Sequence, residues 1–192
     1  MRIILASASP RRLEMLNQCD LSFDVIPAHI DESIHEHEPL KTYVTRMANE
    51  KNQVVFNQYP HSCVISADTI VVLNDELFGK PIDDQDAFRM LKKLSGQTHQ
   101  VMTAMVIQSS SFKEEVLSVT NVKMTSLCDE DILAYINTQE PMDKAGAYAI
   151  QGKAGWMIEK IEGDFYTVVG LPLNQCMSIL RKNQVVDLQK AQ

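Results

Sequence analysis

The chain has little of what marks several protein classes. Its four cysteines, at positions 19, 63, 128 and 176, form no CxxC pair and follow no regular spacing. That argues against a zinc ribbon and against a disulfide scaffold, and the plain reading is reduced, mostly buried thiols in a cytoplasmic protein. No stretch reaches the roughly 18 uncharged apolar residues that a membrane helix needs. The apolar run at the start, Ile3–Ala6, is too short for the core of a signal peptide. Basic charge is also short, with 18 Lys plus Arg against 25 Asp plus Glu and a net charge of -7. A nucleic-acid coat protein needs a spread basic surface, so a polymer partner is not expected. A small polyanion held by a local basic cluster remains open. Repeats and low-complexity tracts are absent. What is present is ordinary for a globular chain: 192 residues, 45% hydrophobic, enough for one domain or for one large core with a small lobe.

Strand-like and helix-like segments interleave, which predicts an α/β fold with some antiparallel sheet. Residues 2–6 read as a short buried strand, followed by a helix that Pro10 opens and Ser9 caps. Residues 22–27 alternate as a second strand, and 31–38 form a polar, acidic loop. A helix from Pro39 to about Asn57 carries a stripe at Val44, Ala48, Lys51 and Val55. Residues 63–73 form a long strand with a turn at 74–76. An amphipathic helix over 83–94 ends at Gly96. Residues 98–107 and 115–125 predict a long hairpin joined by a serine-rich loop. A short helix covers 129–137. Five of the seven glycines fall between Gly146 and Gly170, a zone of tight turns, and 173–180 form a closing helix.

Three features sit badly in a plain core. Asp68 lies inside Val64-Ile65-Ser66-Ala67-Asp68-Thr69-Ile70-Val71-Val72, where an unpaired buried carboxylate would cost at least several kcal/mol. Either a metal, a lysine or a watered cleft compensates it, or the strand breaks there and exposes it. Lys51 falls in an apolar stripe, so it either snorkels to water or points into a pocket. Ser7-Ala8-Ser9-Pro10-Arg11-Arg12 follows a strand and opens a helix. Small residues, a helix N-terminus and two arginines suit an anion, and a capped surface helix is the simpler alternative. The lysine of a P-loop is missing. Phe78-Gly79-Lys80-Pro81 adds a lysine in a fixed turn. One acid with several cations at strand-to-loop junctions suits metal-assisted phosphoryl chemistry better than acyl transfer. His29, His35 and His37 lie among acids but match no structural zinc spacing, so a solvated loop is the better reading. Trp156 reads as a packing residue in a strand, with base stacking as the alternative.

Several motifs in order carry a family resemblance. They are Leu5-Ala6-Ser7-Ala8-Ser9-Pro10-Arg11-Arg12, Ser66-Ala67-Asp68-Thr69-Ile70-Val71, Gly79-Lys80-Pro81, Leu94-Ser95-Gly96, Asp143-Lys144-Ala145-Gly146-Ala147-Tyr148, Ile150-Gln151-Gly152 and Val169-Gly170-Leu171-Pro172-Leu173. Over residues 2 to about 180 the chain resembles the Maf family of nucleoside triphosphate pyrophosphatases. The resemblance implies an elongated mixed sheet flanked by helices around a deep cleft, similar to the inosine triphosphate pyrophosphatases. It implies a single domain over 1–192, with two lobes about the cleft as a variant and 183–192 as a polar tail. It also implies hydrolysis of a nucleoside triphosphate to monophosphate and pyrophosphate, with Mg²⁺ or Mn²⁺. Asp68 matches the catalytic acid. Ser7, Arg12, Lys51 and Lys80 match phosphate-binding positions, and Glu32 joins Asp68 as a metal ligand. Arg11, Thr69 and Gln151 match the branch acting on dTTP and UTP, where the branch acting on 7-methyl-GTP has Trp, Gln and Glu. The expected partner is a nucleoside triphosphate, with no nucleic-acid polymer and no membrane. A homodimer is compatible with the resemblance, without a sequence marker of its own.

The residue types fit that chemistry. Attack of water at the α-phosphorus needs a positioned nucleophile, neutralised phosphate oxygens and a stabilised leaving group. Two rival readings stand beside it: a pyrophosphatase for a modified or purine nucleotide, and a nucleotide-binding regulator of division without turnover.

Overall fold

The computed structural model describes residues 1–186. Three parallel strands organise its first part. β1 (Ile3–Leu5) pairs with β2 (Asp24–Val25) on one side and with β3 (Cys63–Leu73) on the other. Parallel neighbours need crossover connections. The chain supplies them as α1 (Pro10–Asn17) before β2 and α2 (Leu40–Gln58) before β3. β3 then turns through Asn74 and Asp75, both at positive φ, and returns antiparallel as β4 (Glu76–Phe78). Positive φ at both central residues matches the right-handed twist of a two-residue hairpin, and Asn and Asp tolerate it best after glycine.

α3 (Asp84–Leu94) begins one residue later than expected, with Asp83 as its N-cap. The Asp83 side chain accepts from the Asp86 N–H at 2.7 Å. Acids fill its first turn and Lys92 and Lys93 its last, which complements the helix dipole. Gly96, at φ 68°, follows its end. β5 (Thr98–Gln108) and β6 (Lys113–Met124) are hydrogen-bonded neighbours joined by four residues. So short a connection allows only an antiparallel pair, the predicted hairpin. After α4 (Asp129–Ile136) come three 3₁₀ turns and β7 (Ile158–Glu162), antiparallel to β6. α5 (Phe165–Val169) and α6 (Leu173–Lys182) complete the described chain. The strand order is β2-β1-β3-β5-β6-β7 with β4 beside β3, so the sheet is mixed and helix-flanked, as expected, and has seven strands.

The chain divides into two compact units. The first takes Met1–Asp68, Thr103–Ser118 and the described residues from Gly170 onward, and the second takes Thr69–Met102 and Val119–Val169. In the first unit Ile4, Ala6, Val55 and Val64 form a buried cluster with Ile26 and Phe56 against it. In the second, Phe78, Leu91, Leu94, Met124, Ile132 and Met157 belong to a larger core.

Several expectations need correction. Of residues 22–27 only Asp24 and Val25 pair as strand. Ser9 occupies the N-cap of α1 without a side-chain cap bond, and its own N–H donates to the Ser7 hydroxyl. Trp156 is not packed in a strand. It sits in a 3₁₀ turn over Gly155–Met157 and is 59% exposed, and the strand begins after it. The thiols are free, but only Cys63 and Cys176 are buried, while Cys128 is exposed. The part of the expected polar tail beyond residue 186 lies outside the described residues. No helix among the described residues is long and apolar enough to cross a membrane.

Candidate active site

Asp68 lies within β3, not at a break in it, and its side chain is 14% exposed. The compensation that its burial demands is a lysine. Lys51 Nζ donates to Asp68 Oδ1 at 2.6 Å and pairs with Glu32 Oε1 at 2.7 Å. The Lys51 side chain is 12% exposed, so the lysine points inward and does not snorkel. Breaking such an enclosed pair by removing one partner typically costs about 3–5 kcal/mol.

The aim of Lys51 follows from its neighbours on α2. Val44, Met47, Ala48 and Val55 bury one face of that helix. Asn52 joins them fully buried, and its amide donates to the carbonyls of Val64 at 3.0 Å and Val106 at 3.2 Å. Ser66 Oγ donates to the Ala48 carbonyl at 2.7 Å. These bonds fix helix against strand in rotation and height. The residue before Asn52 is thereby carried to the carboxylate two residues after Ser66.

The loop that bears Glu32 is fastened to the same helix. Tyr43 donates its hydroxyl proton to the Glu32 carbonyl at 2.8 Å. Arg46 donates to both carboxylate oxygens of Glu38 at 2.7 Å and to the Ser33 carbonyl at 2.9 Å. This fork holds the Glu38 carboxyl well below its ordinary range, at about 2. Burial raises the Tyr43 phenol, and the charges of Asp68 and Glu32 push it further in the same direction. Tyr43, Arg46, Glu38 and Asn52 were not singled out in the sequence. A buried amide at 52, on the face of Ala48 and Val55, was the available signal.

Ser7 and Arg12 form a second group within the same unit. The Ser7 hydroxyl oxygen accepts from the Ser9 N–H at 3.2 Å and from Arg12 Nη1 at 3.1 Å, which leaves its own proton to donate. Arg12 Nε donates to the Gly170 carbonyl at 2.7 Å. Burial lowers the Arg12 pKa and neighbouring Arg11 adds to this, while Asp68 and Glu32 oppose it. Ser7, Arg12, Glu32, Lys51 and Asp68 thus form one connected electrostatic set in the first unit. Arg11 is half-buried on α1.

Thr69, Lys80 and Gln151 belong to the second unit. Thr69 follows Asp68 on β3 and is half-buried, whereas Lys80 and Gln151 are exposed. The turn bearing Lys80 is tied to the Asp143–Tyr148 motif, since the Gly146 N–H donates to the Gly79 carbonyl at 3.0 Å. His35 and His37 lie exposed in their loop, with His37 Nε2 3.4 Å from Glu36 Oε1. Among the described residues no group of three or more His, Cys, Asp or Glu could hold a metal ion.

Two carboxylates nonetheless fit a hard divalent cation. Mg²⁺ is commonly held by one or two carboxylates plus waters and substrate phosphate oxygens, not by a full protein cage. Asp68 and Glu32 already converge on one cationic group, the Lys51 ammonium.

Comparisons with known proteins bear on the family. The family model described as Maf-like protein matches residues 2–183. The dTTP/UTP pyrophosphatase of Geobacillus sp. (strain WCH70) is 44% identical over 181 residues, covering 94% of this chain and 97% of that one. Its counterpart of the same name in Thermosipho africanus (strain TCF52B) is 45% identical over 100% of this chain and 98% of its own. That of Escherichia coli (strain UTI89) is 47% identical over 93% and 91%. Among solved structures, the Ham1 protein of Staphylococcus aureus superposes with a TM-score of 0.56 at 13% identity, covering 95% of this chain and 100% of that one. At that identity the likeness is one of fold alone. The motif order, the match over nearly the whole length and the fold agree: the chain belongs to the Maf family.

Proposed function

We propose that this chain hydrolyses nucleoside triphosphates, dTTP and UTP above others, to the monophosphate and pyrophosphate. The role is house-cleaning of the nucleotide pool in the cytoplasm. The observation that carries the reading is the Asp68–Lys51–Glu32 cluster in the first unit, in which one ammonium, enclosed with Asp68, is shared with a second, more exposed carboxylate. Relatives of 44–47% identity that bear the name dTTP/UTP pyrophosphatase support the substrate class.

Asp68 orients a water molecule and accepts its proton as the oxygen attacks the α-phosphorus. A new P–O bond forms there, the bond from the α-phosphorus to the bridging oxygen breaks, and pyrophosphate leaves with the electron pair. Lys51, released from its carboxylates when substrate binds, meets charge that develops on the phosphate oxygens. Ser7 donates its hydroxyl proton to a phosphate oxygen, and Arg12, anchored through Nε and Nη1, presents a fixed guanidinium edge. Lys80 takes a phosphate role by its motif. Arg11, Thr69 and Gln151 select the base by theirs. Asp68 and Glu32 would hold Mg²⁺ or Mn²⁺, which supplies charge neutralisation at the triphosphate.

A panel of nucleotides with Mg²⁺ and with Mn²⁺, scored for pyrophosphate against phosphate, tests the reading. The expected result is pyrophosphate release, fastest from dTTP and UTP. Faster turnover of 7-methyl-GTP would overturn the base preference. Tight triphosphate binding without pyrophosphate release would overturn catalysis in favour of a regulator.

A further inference from the structure

The turn that carries Gln151 is built around a carboxylate that no motif reading assigns. Gly152 has no room for a side chain, because an added Cβ would lie 2.1 Å from Glu140 Oε1 and 2.7 Å from Oε2. The Glu140 carboxylate therefore rests directly on the peptide after Gln151. The Lys153 N–H donates to it, at 2.9 Å to Oε1 and 3.1 Å to Oε2. From the other side Tyr135, itself buried, donates its hydroxyl proton to Oε1 at 2.9 Å. The turn closes on itself through the Gly152 N–H to the Ala149 carbonyl at 3.0 Å and the Gly155 N–H to the Gly152 carbonyl at 3.1 Å. All of these groups lie within the second unit.

We infer that Glu140 is a positioning residue for base selection. With Tyr135 behind it, its carboxylate holds the backbone on the far side of Gln151 and so fixes the height and direction of that side chain toward a pyrimidine edge. This rests on the proposed role of Gln151 in reading the base. A glycine at 152 is part of the device, because only there can the carboxylate approach the backbone closely enough to accept from the Lys153 N–H. An exposed turn without such a clamp would sample several conformations, and the free energy of ordering it would be taken from substrate binding.

The test is steady-state kinetics on dTTP, UTP and GTP for Glu140→Ala, Glu140→Gln, Gly152→Ala, the double Glu140→Ala/Gly152→Ala and Gln151→Ala. Glu140→Ala is expected to raise KM for dTTP and UTP by about tenfold with kcat within about twofold, as loss of an ordering hydrogen-bond pair would do. KM for GTP should hardly change, so selectivity falls. Glu140→Gln keeps an acceptor oxygen at Oε1 and should recover most of it. Gly152→Ala displaces the carboxylate and should match Glu140→Ala, and the double variant should be no worse than either single one. A kcat loss shared equally by all three nucleotides would overturn the inference, as would additive effects in the double variant. If Gln151→Ala shifts selectivity and Glu140→Ala does not, the positioning role fails while the base-reading role stands. If Gln151→Ala leaves selectivity intact, both fail together.

Discussion

Asp68 and Glu140 are both carboxylates held close by hydrogen bonds, yet their partners are of opposite kinds. Asp68 is held by a cation, the Lys51 ammonium, which a second acid, Glu32, also claims. Glu140 is held by a backbone N–H and a buried phenol. An ammonium on a four-carbon stem can exchange one oxygen partner for another at small cost in shape. A backbone amide in a closed turn cannot. The first arrangement suits a site whose partners change when a triphosphate and its metal arrive. The second suits a part whose only task is to stay in place. Substitutions in the first set should register in rate, and those among the neutral-partnered groups of the second unit in selectivity or stability.

The largest effect is expected at Asp68. Asp68→Asn leaves Lys51 paired with Glu32, so the enclosed charge keeps a counter-ion and the fold stands. Turnover should fall by about 10³-fold, the scale of a lost general base, with the thermal midpoint within a few degrees of the parent. Rapid pyrophosphate release by this variant would break the contrast at its centre. Next comes Lys51→Met. Here two carboxylates lose their shared cation, so rate and stability should both drop: kcat/KM by about 10²-fold and unfolding free energy by about 3 kcal/mol. Pairing it with Asp68→Asn sharpens the point. Removing the acid should restore much of the stability lost with the lysine, and urea denaturation of the single and double variants would measure it.

How much of this was readable beforehand follows the same division. Asp68 and Lys51 announced themselves because each broke an apolar pattern, at strand period and at helix period, and each was left with two outcomes. The choice between them depends on Asn52 and Ser66, whose bonds to the carbonyls of Val64 and Ala48 set helix α2 against β3. Such bonds join residues that are distant in sequence and break no local pattern. The extent of α3, ended at Gly96, and the hairpin of β5 and β6 were legible because amphipathic period, helix stops and turns are local chemistry. Trp156 was misread because Gly155 opens a tight turn, and the apolar residues after it belong partly to that turn and partly to β7. Glu140 was missed because its significance lies in the missing side chain at Gly152, a contact seen only when the two are brought together.

The effect with the least bearing on turnover is a pH dependence of stability seated in the second unit. His99 is buried, and its Nε2 lies 2.7 Å from the Tyr148 hydroxyl. Its Nδ1 has no hydrogen-bond partner among the described residues. Burial disfavours the charged ring and pulls its pKa down to about 4, from an ordinary 6.5. The unfolded chain therefore binds a proton as the pH falls through 6.5, while the folded chain resists until about 4. Stability from this group is present above 6.5 and is lost as the pH falls between those values. The full difference is about 3 kcal/mol, taking about 1.4 kcal/mol per pH unit. His99→Gln cannot charge, so it should lose less stability than the parent on going from pH 7 to pH 4. Urea midpoints at the two pH values measure this directly, and the carboxylates that titrate in both proteins cancel in the difference. Equal losses in the two would mean that His99 titrates alike in the folded and unfolded chain, and that burial in the second unit does not hold the ring neutral.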